Sequence, residues 1–158
     1  MYKNVLFLAL LITFLSCTKE SIKYSTSQLN PTKKTILVTV LNNADSQFKK
    51  DLIDSLSLKY SPLCNIKVIN AKNYQTIASE QYDLLVVMDK LKAGLLMNKG
   101  FKSFISKADK QKTVFLMTAG DPKWTWKKDS TPVITSASVP ERKATVLKQL
   151  FDQIDSKL

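Results

Sequence analysis

Tyr82-Asp83-Leu84-Leu85-Val86-Val87-Met88 is the stretch on which the fold turns. From Leu84 to Met88 it offers no polar face, so a strand built from it must be covered on both sides. Working outward, 36–41 (ILVTVL), 66–69 (IKVI), 113–118 (TVFLMT) and the shorter 133–135 (VIT) read as further strands. Between them the apolar residues recur at helical spacing. Phe48, Leu52, Ile53, Leu56 and Tyr60 mark one helix, with Asn43 or Asp45 available as its cap. Tyr74, Ile77 and Ala78 mark a short one, and Phe101, Phe104, Ile105 and Ala108 a third. Ser138 to Glu141 has capping-box spacing with Pro140 inside the first turn. It opens a final helix lined by Ala144, Leu147, Leu150, Phe151, Ile154 and Leu158. Strand and helix alternate throughout, and parallel strands need crossover helices. The expectation is an α/β domain with a parallel sheet between two helical layers.

The first residues stand apart from this pattern. One positive charge at Lys3 precedes the apolar run from Val5 to Leu15, and Ser16-Cys17 follows. A basic start, a short apolar run and a small residue before the cut describe a secretory signal, too short to span a bilayer. Phe14-Leu15-Ser16-Cys17 resembles the lipobox of bacterial lipoproteins, with Phe14 in place of the usual leucine and Leu15 in place of a small residue. The resemblance implies cleavage before Cys17 and a lipid (palmitate) on it. Three segments follow: a lipoprotein signal peptide over 1–16, a flexible tether over 17–33, rich in Ser, Thr and Lys, and one domain over 34–158. Thr18 after the cysteine, rather than an aspartate, points to sorting toward the outer membrane.

Composition narrows the chemistry. The 158 residues include 24 Lys and Arg against 13 Asp and Glu, a net charge of +11, and no histidine. Without histidine the usual Ser-His-Asp arrangement and most zinc sites are excluded, and no catalytic or metal-ligating set is assigned. For an exported protein the positive charge points to anionic lipid, polysaccharide or a phosphorylated ligand rather than to nucleic acid. It also fits a merely soluble surface. With Cys17 acylated, Cys64 has no partner for a disulfide and reads as a small buried side chain.

The segment YDLLVVMDKLKAG, the helix FKSFISKADKQK, the strand TVFLMTAGDP and the closing PVITSASVPERKATVLKQLFDQI together resemble the flavodoxin-like family. The resemblance covers most of 34–158 and is one of pattern and order. It implies a five-stranded parallel sheet of order 2-1-3-4-5 with helices on both faces. Its ligand crevice would lie at the carboxyl ends of the first and third strands, the topological switch point. It further implies flavin mononucleotide (FMN), with the phosphate held by the loop after the first strand and the ring flanked by two later loops. Carried onto this chain, the candidate cofactor-binding residues are Asn42, Asn43, Ser46, Lys90, Gly94, Gly120, Trp124 and Trp126. The first loop departs from the family pattern. It has no glycine and carries Asp45, whose charge would repel a phosphate about 4 Å away by a few kcal/mol. Trp124 and Trp126 serve either as an aromatic wall for a flat ligand or as packing for an irregular loop. Lys90 and Lys92 are either cations beside the switch point or solvated loop charges.

Three functions remain open on this reading. The first is a membrane-anchored, extracytoplasmic electron carrier binding FMN, with a redox partner. The second is a cofactor-free flavodoxin-like interaction module whose basic surface meets an anionic component of the cell envelope. The third, a hydrolase using Asp89 and Asp121, rests on loop proximity alone.

Overall fold

The computed structural model describes residues 29–41, 46–71, 74–77, 82–91, 99–121, 123–126 and 131–158. The signal segment 1–16 and Cys17 lie outside them.

Five strands form one sheet: β1 (Thr35–Val40), β2 (Asn65–Asn70), β3 (Leu84–Lys90), β4 (Thr113–Ala119) and β5 (Val133–Ala137). Their order is β2-β1-β3-β4-β5. All four pairings are parallel, with Thr35 opposite Asn65, Ile36 opposite Leu84, Leu85 opposite Thr113 and Phe115 opposite Val133. The helices are α1 (Gln47–Tyr60), α2 (Lys99–Lys107) and α3 (Lys143–Asp155), with 3-10 segments at Tyr74–Ile77 and Pro140–Arg142. The flavodoxin-like α/β architecture expected from the sequence is the one observed.

Side-chain alternation along the strands sorts the core into two layers. Ile36, Val38, Val40, Leu84, Val86, Met88, Val114 and Leu116 face α1 and α3, packing on Leu52, Ile53, Leu56, Leu150 and Ile154. Leu37, Leu85, Val87, Phe115 and Met117 face the other way, onto Tyr74, Ile77, Phe101 and Ile105. Every residue of β3 from Leu84 to Asp89 is buried. The helix layer over the first face is fastened at its foot. There the Tyr60 hydroxyl donates to Asp155 Oδ1 at 2.6 Å, and Lys59 bonds the same carboxylate at 2.7 Å. The Lys59 bond first, then that from Tyr60, holds the Asp155 carboxyl below its ordinary value.

Two helix ends and the buried stripe of α3 differ from the sequence reading. The α1 N-cap is Ser46, whose Oγ accepts the Lys49 N–H at 3.3 Å; Asn43 and Asp45, the expected caps, lie outside the described residues. The capping box over 138–141 does not form. Val139 is held extended (φ −120°, ψ 147°), as a residue before proline must be, and has no side-chain acceptor to offer. The chain enters α3 through a 3-10 turn instead. On α3 the buried stripe is Val146, Leu150 and Ile154, an i, i+4 line, and Ala144 is exposed. At the start of the domain, the Asn65 side chain accepts the Asn30 N–H at 2.8 Å and donates to the Asn30 carbonyl at 2.7 Å. Asn30 is thus joined to the first residue of β2.

Leu150→Ala empties a site with no solvent exposure and costs about 2–5 kcal/mol in urea unfolding. Leu58→Ala, at a position 83% exposed, changes stability by no more than about 0.5 kcal/mol.

Candidate functional site at the switch point

From β1 the chain passes through α1 to β2 on one side of the sheet, whereas β3 lies on the other side of β1. The chain leaving β1 leads to α1 on one face of the sheet and that leaving β3 to α2 on the other, which makes the carboxyl ends of β1 and β3 the switch point where sheets of this order form a ligand crevice. The α1 N-terminus stands beside it. The N–H groups of Gln47 and Phe48, the first two of that helix, have no carbonyl partner within it, and the positive end of the helix dipole favours an anion there.

The floor of the crevice is polar and buried. Lys49 occupies a position on the inward face of α1, three and four residues before Leu52 and Ile53, and its side chain has no solvent exposure. Its Nζ turns back to donate to the Leu41 carbonyl at 3.1 Å, just past the end of β1. Asp89, near the end of β3, is equally enclosed. Its carboxyl accepts the Tyr74 hydroxyl through Oδ2 and the Lys90 N–H through Oδ1 at 2.7 Å. Its carbonyl accepts the Thr118 hydroxyl at 3.2 Å. Tyr74 is itself held by stacking on Phe104, with ring centroids 5.0 Å apart.

These groups shape one another electrostatically. Burial pushes the Lys49 ammonium from its ordinary 10.5 down to about 8; the Asp89 charge opposes the shift and Lys90 adds to it. Burial, then the charge and hydrogen bond of Asp89, drive the Tyr74 phenol far above its ordinary 10. A lysine, a carboxyl and a phenol thus share a dry floor in which the lysine releases its proton more readily than usual and the phenol holds its own.

The residues singled out from the sequence are distributed around this floor. Ser46 caps α1. Lys90 is the last residue of β3, half-buried, with its backbone braced on Asp89. Gly120 follows β4 and is exposed; among the described residues a Cβ there would meet nothing within 4 Å. Trp126 is half-buried and packs edge-on against Phe101 of α2 at 5.7 Å, and Trp124 also rests on the α2-side core. Asn42, Asn43 and Gly94 lie outside the described residues. Of the two aspartates considered for hydrolysis, Asp89 is enclosed with Tyr74, whereas Asp121 is exposed and braces its own turn by accepting the Lys123 N–H at 2.8 Å. Cys64 is buried, and burial raises its thiol above the ordinary value.

Sequence reading missed Lys49 and gave Tyr74 no role beyond packing. The signal for Lys49 was present: a lysine on the apolar stripe of α1, one turn before Ile53, needs a buried partner. The Leu41 carbonyl just past β1 is such a partner, and the Asp89 charge acts on the ammonium through space.

No protein family model matches the chain, and no curated protein matches it in sequence. Among solved structures it is similar to oxidised Flavodoxin 2 from Bacillus cereus, at 9% identity and a TM-score of 0.47, over 79% of this chain and 99% of that one. The fold assignment rests on the strand order rather than on this likeness.

The charges of the floor predict a stability profile. Below pH 8 native and unfolded Lys49 both carry the proton, and the full cost of burying the charge is present. Between about 8 and 10.5 the native amine loses its proton first. The unfolded chain then binds more protons, and stability rises by up to about 1.4 kcal/mol per pH unit. From about pH 9 the unfolded thiol, and from about pH 10 the unfolded tyrosines, ionise while Cys64, Tyr74 and Tyr60, all raised by burial, stay protonated, which opposes the rise and then makes stability fall. Urea midpoints measured from pH 7 to 11 show a rise and then a fall. Lys49→Met, which removes the buried charge, loses the rising limb only.

Proposed function

We propose that this chain is an exported, lipid-anchored domain of flavodoxin-like fold that binds FMN at the switch point and carries electrons at the outer membrane. The observation that carries the reading is the strand order β2-β1-β3-β4-β5, which sets the α1 N-terminus beside a crevice at the ends of β1 and β3. The donor set is suited to the group. The Gln47 and Phe48 N–H groups would face the phosphate. When bound, the flavin supplies the redox chemistry, and the chain binds and orients it. No acid–base residue is needed, which agrees with a sequence lacking histidine. The lipid anchor draws on Phe14-Leu15-Ser16-Cys17.

A second reading is favoured by one observation. Lys49 turns its ammonium back onto the Leu41 carbonyl within the crevice floor rather than toward a ligand. On that reading the domain is a cofactor-free interaction module that meets an anionic envelope component or another protein.

Two measurements separate these claims. Purified protein titrated with FMN should quench flavin fluorescence and gain about 2.7 kcal/mol of stability at a ligand concentration of 100 Kd. A colourless protein that leaves FMN fluorescence and its own melting unchanged sinks the electron-carrier reading and leaves the module. Independently, cells fed labelled palmitate should label the wild-type chain, and Cys17→Ser should lose both the label and the membrane fraction. Label retained in that variant would overturn the anchor.

A further inference from the structure

We infer that the end of the domain opposite the crevice, at the amino ends of the strands, is a docking face for an anionic lipid surface. In a parallel sheet all strands start at one end, so one end of the molecule gathers the helix C-termini and the turns that follow them. Here those turns carry an apolar corner and a set of lysines. Leu58, in the last turn of α1, is 83% exposed, and Leu63, in the turn leading to β2, is 68% exposed. Lys107, Lys110 and Lys112, which end α2 and precede β4, are all exposed. The turns are stitched into one surface. Lys33 Nζ donates to the Pro62 carbonyl at 2.8 Å, Lys157 Nζ to the Lys110 carbonyl at 2.6 Å, and Lys34 Nζ to the Leu158 carbonyl.

The carboxylates at this end are engaged within the protein. Asp83 accepts the Thr35 N–H at 2.7 Å, Asp109 the Gln111 N–H at 2.9 Å, and Asp155 is held by Lys59 and Tyr60. The lysines outnumber them, so the face is net positive. Cations around exposed leucines match a membrane surface, where the charges meet anionic headgroups and the leucines enter the interface.

The occupant is further fixed by where the chain arrives. Asn30 is clamped to Asn65 at the start of β2, two residues from Leu63. The stretch from Cys17 to Leu29 reaches at most about 40 Å when fully extended. This inference rests on the lipid anchor for its setting. An anchored Cys17 keeps this end, and not the crevice, against the bilayer, and a basic patch is the second signal that makes acyl anchoring firm.

The test uses the chain from Thr18 onward, without acyl group; both core layers lie wholly downstream of Leu29. Co-sedimentation is measured with phosphatidylcholine vesicles with and without phosphatidylglycerol. Binding should require the anionic lipid and weaken with salt. Lys107→Gln/Lys110→Gln/Lys112→Gln should lower it on the order of 100-fold, and Leu58→Ser/Leu63→Ser should lower it further at high salt. The control Lys50→Gln/Lys123→Gln/Arg142→Gln, at the crevice end, should leave it within about threefold of wild type; circular dichroism checks that each variant is folded. Equal loss in the control, no binding at low salt, or tighter binding to dextran sulfate with no effect of the leucine changes would overturn the inference. Because no acyl group is present, these outcomes are independent of whether Cys17 is modified.

Discussion

Strand β3 must be covered twice, and that requirement organises the molecule. Its residues from Leu84 to Asp89 expose nothing, so a helical layer is needed on each face of the sheet. Strands that run parallel can be joined only by crossovers, and the crossovers supply those layers: α1 and α3 over one face, α2 and the Tyr74–Ile77 turn over the other. Burial in two layers of apolar side chains is what offsets the entropy of ordering a domain of this size. The same geometry forces β1 and β3 to be neighbours while their outgoing connections part, and so a crevice appears at their ends without any residue having been chosen for it.

What fills the crevice floor was chosen residue by residue. Buried polar groups add little net stability over apolar side chains but are costly once their partners are lost. Lys49, bonded to the Leu41 carbonyl, and Asp89, bonded to Tyr74, therefore fix how these elements meet more than they strengthen the contact. Tyr74 extends the set to the opposite helical layer through its bond to Asp89. Residues from three elements on both sides of the sheet thus converge on one point, directly beneath the loops where ligands bind in folds of this topology.

Much of the fold was legible in the sequence because its strands are nearly all apolar and its helices carry regular stripes. The strand order followed from family pattern, and the core residues of α1 followed from spacing alone. Helix ends were less legible. Ser46 and the Asn43–Asp45 stretch all suit a cap, and only the path of the backbone decides between them. The Ser138–Glu141 spacing promised a capping box, but Pro140 fixes Val139 in an extended conformation and puts a valine where the acceptor was needed. The crevice was legible only as a place. Lys49, Tyr74 and Asp89 lie far apart in sequence, and a lysine within a helix reads as solvated until the strand carrying its partner is set beside it. Trp124 and Trp126 lent themselves equally to a ligand wall and to packing; their contacts with the α2-side core account for their burial.

A parallel sheet has a direction that an antiparallel one lacks, and this chain makes use of both ends. At the carboxyl ends, helix dipoles and a dry ionic floor create positions that favour an anion of defined shape. At the amino ends the helix C-termini carry partial negative charge, which is answered by lysines such as Lys59 and Lys107 in their last turns. Those lysines first serve the helices. Once several helices end side by side, the same residues sum to a basic surface next to the point where the chain enters the domain. Electrostatics that stabilise each helix separately thus add up to a charge asymmetry between the two ends of the sheet.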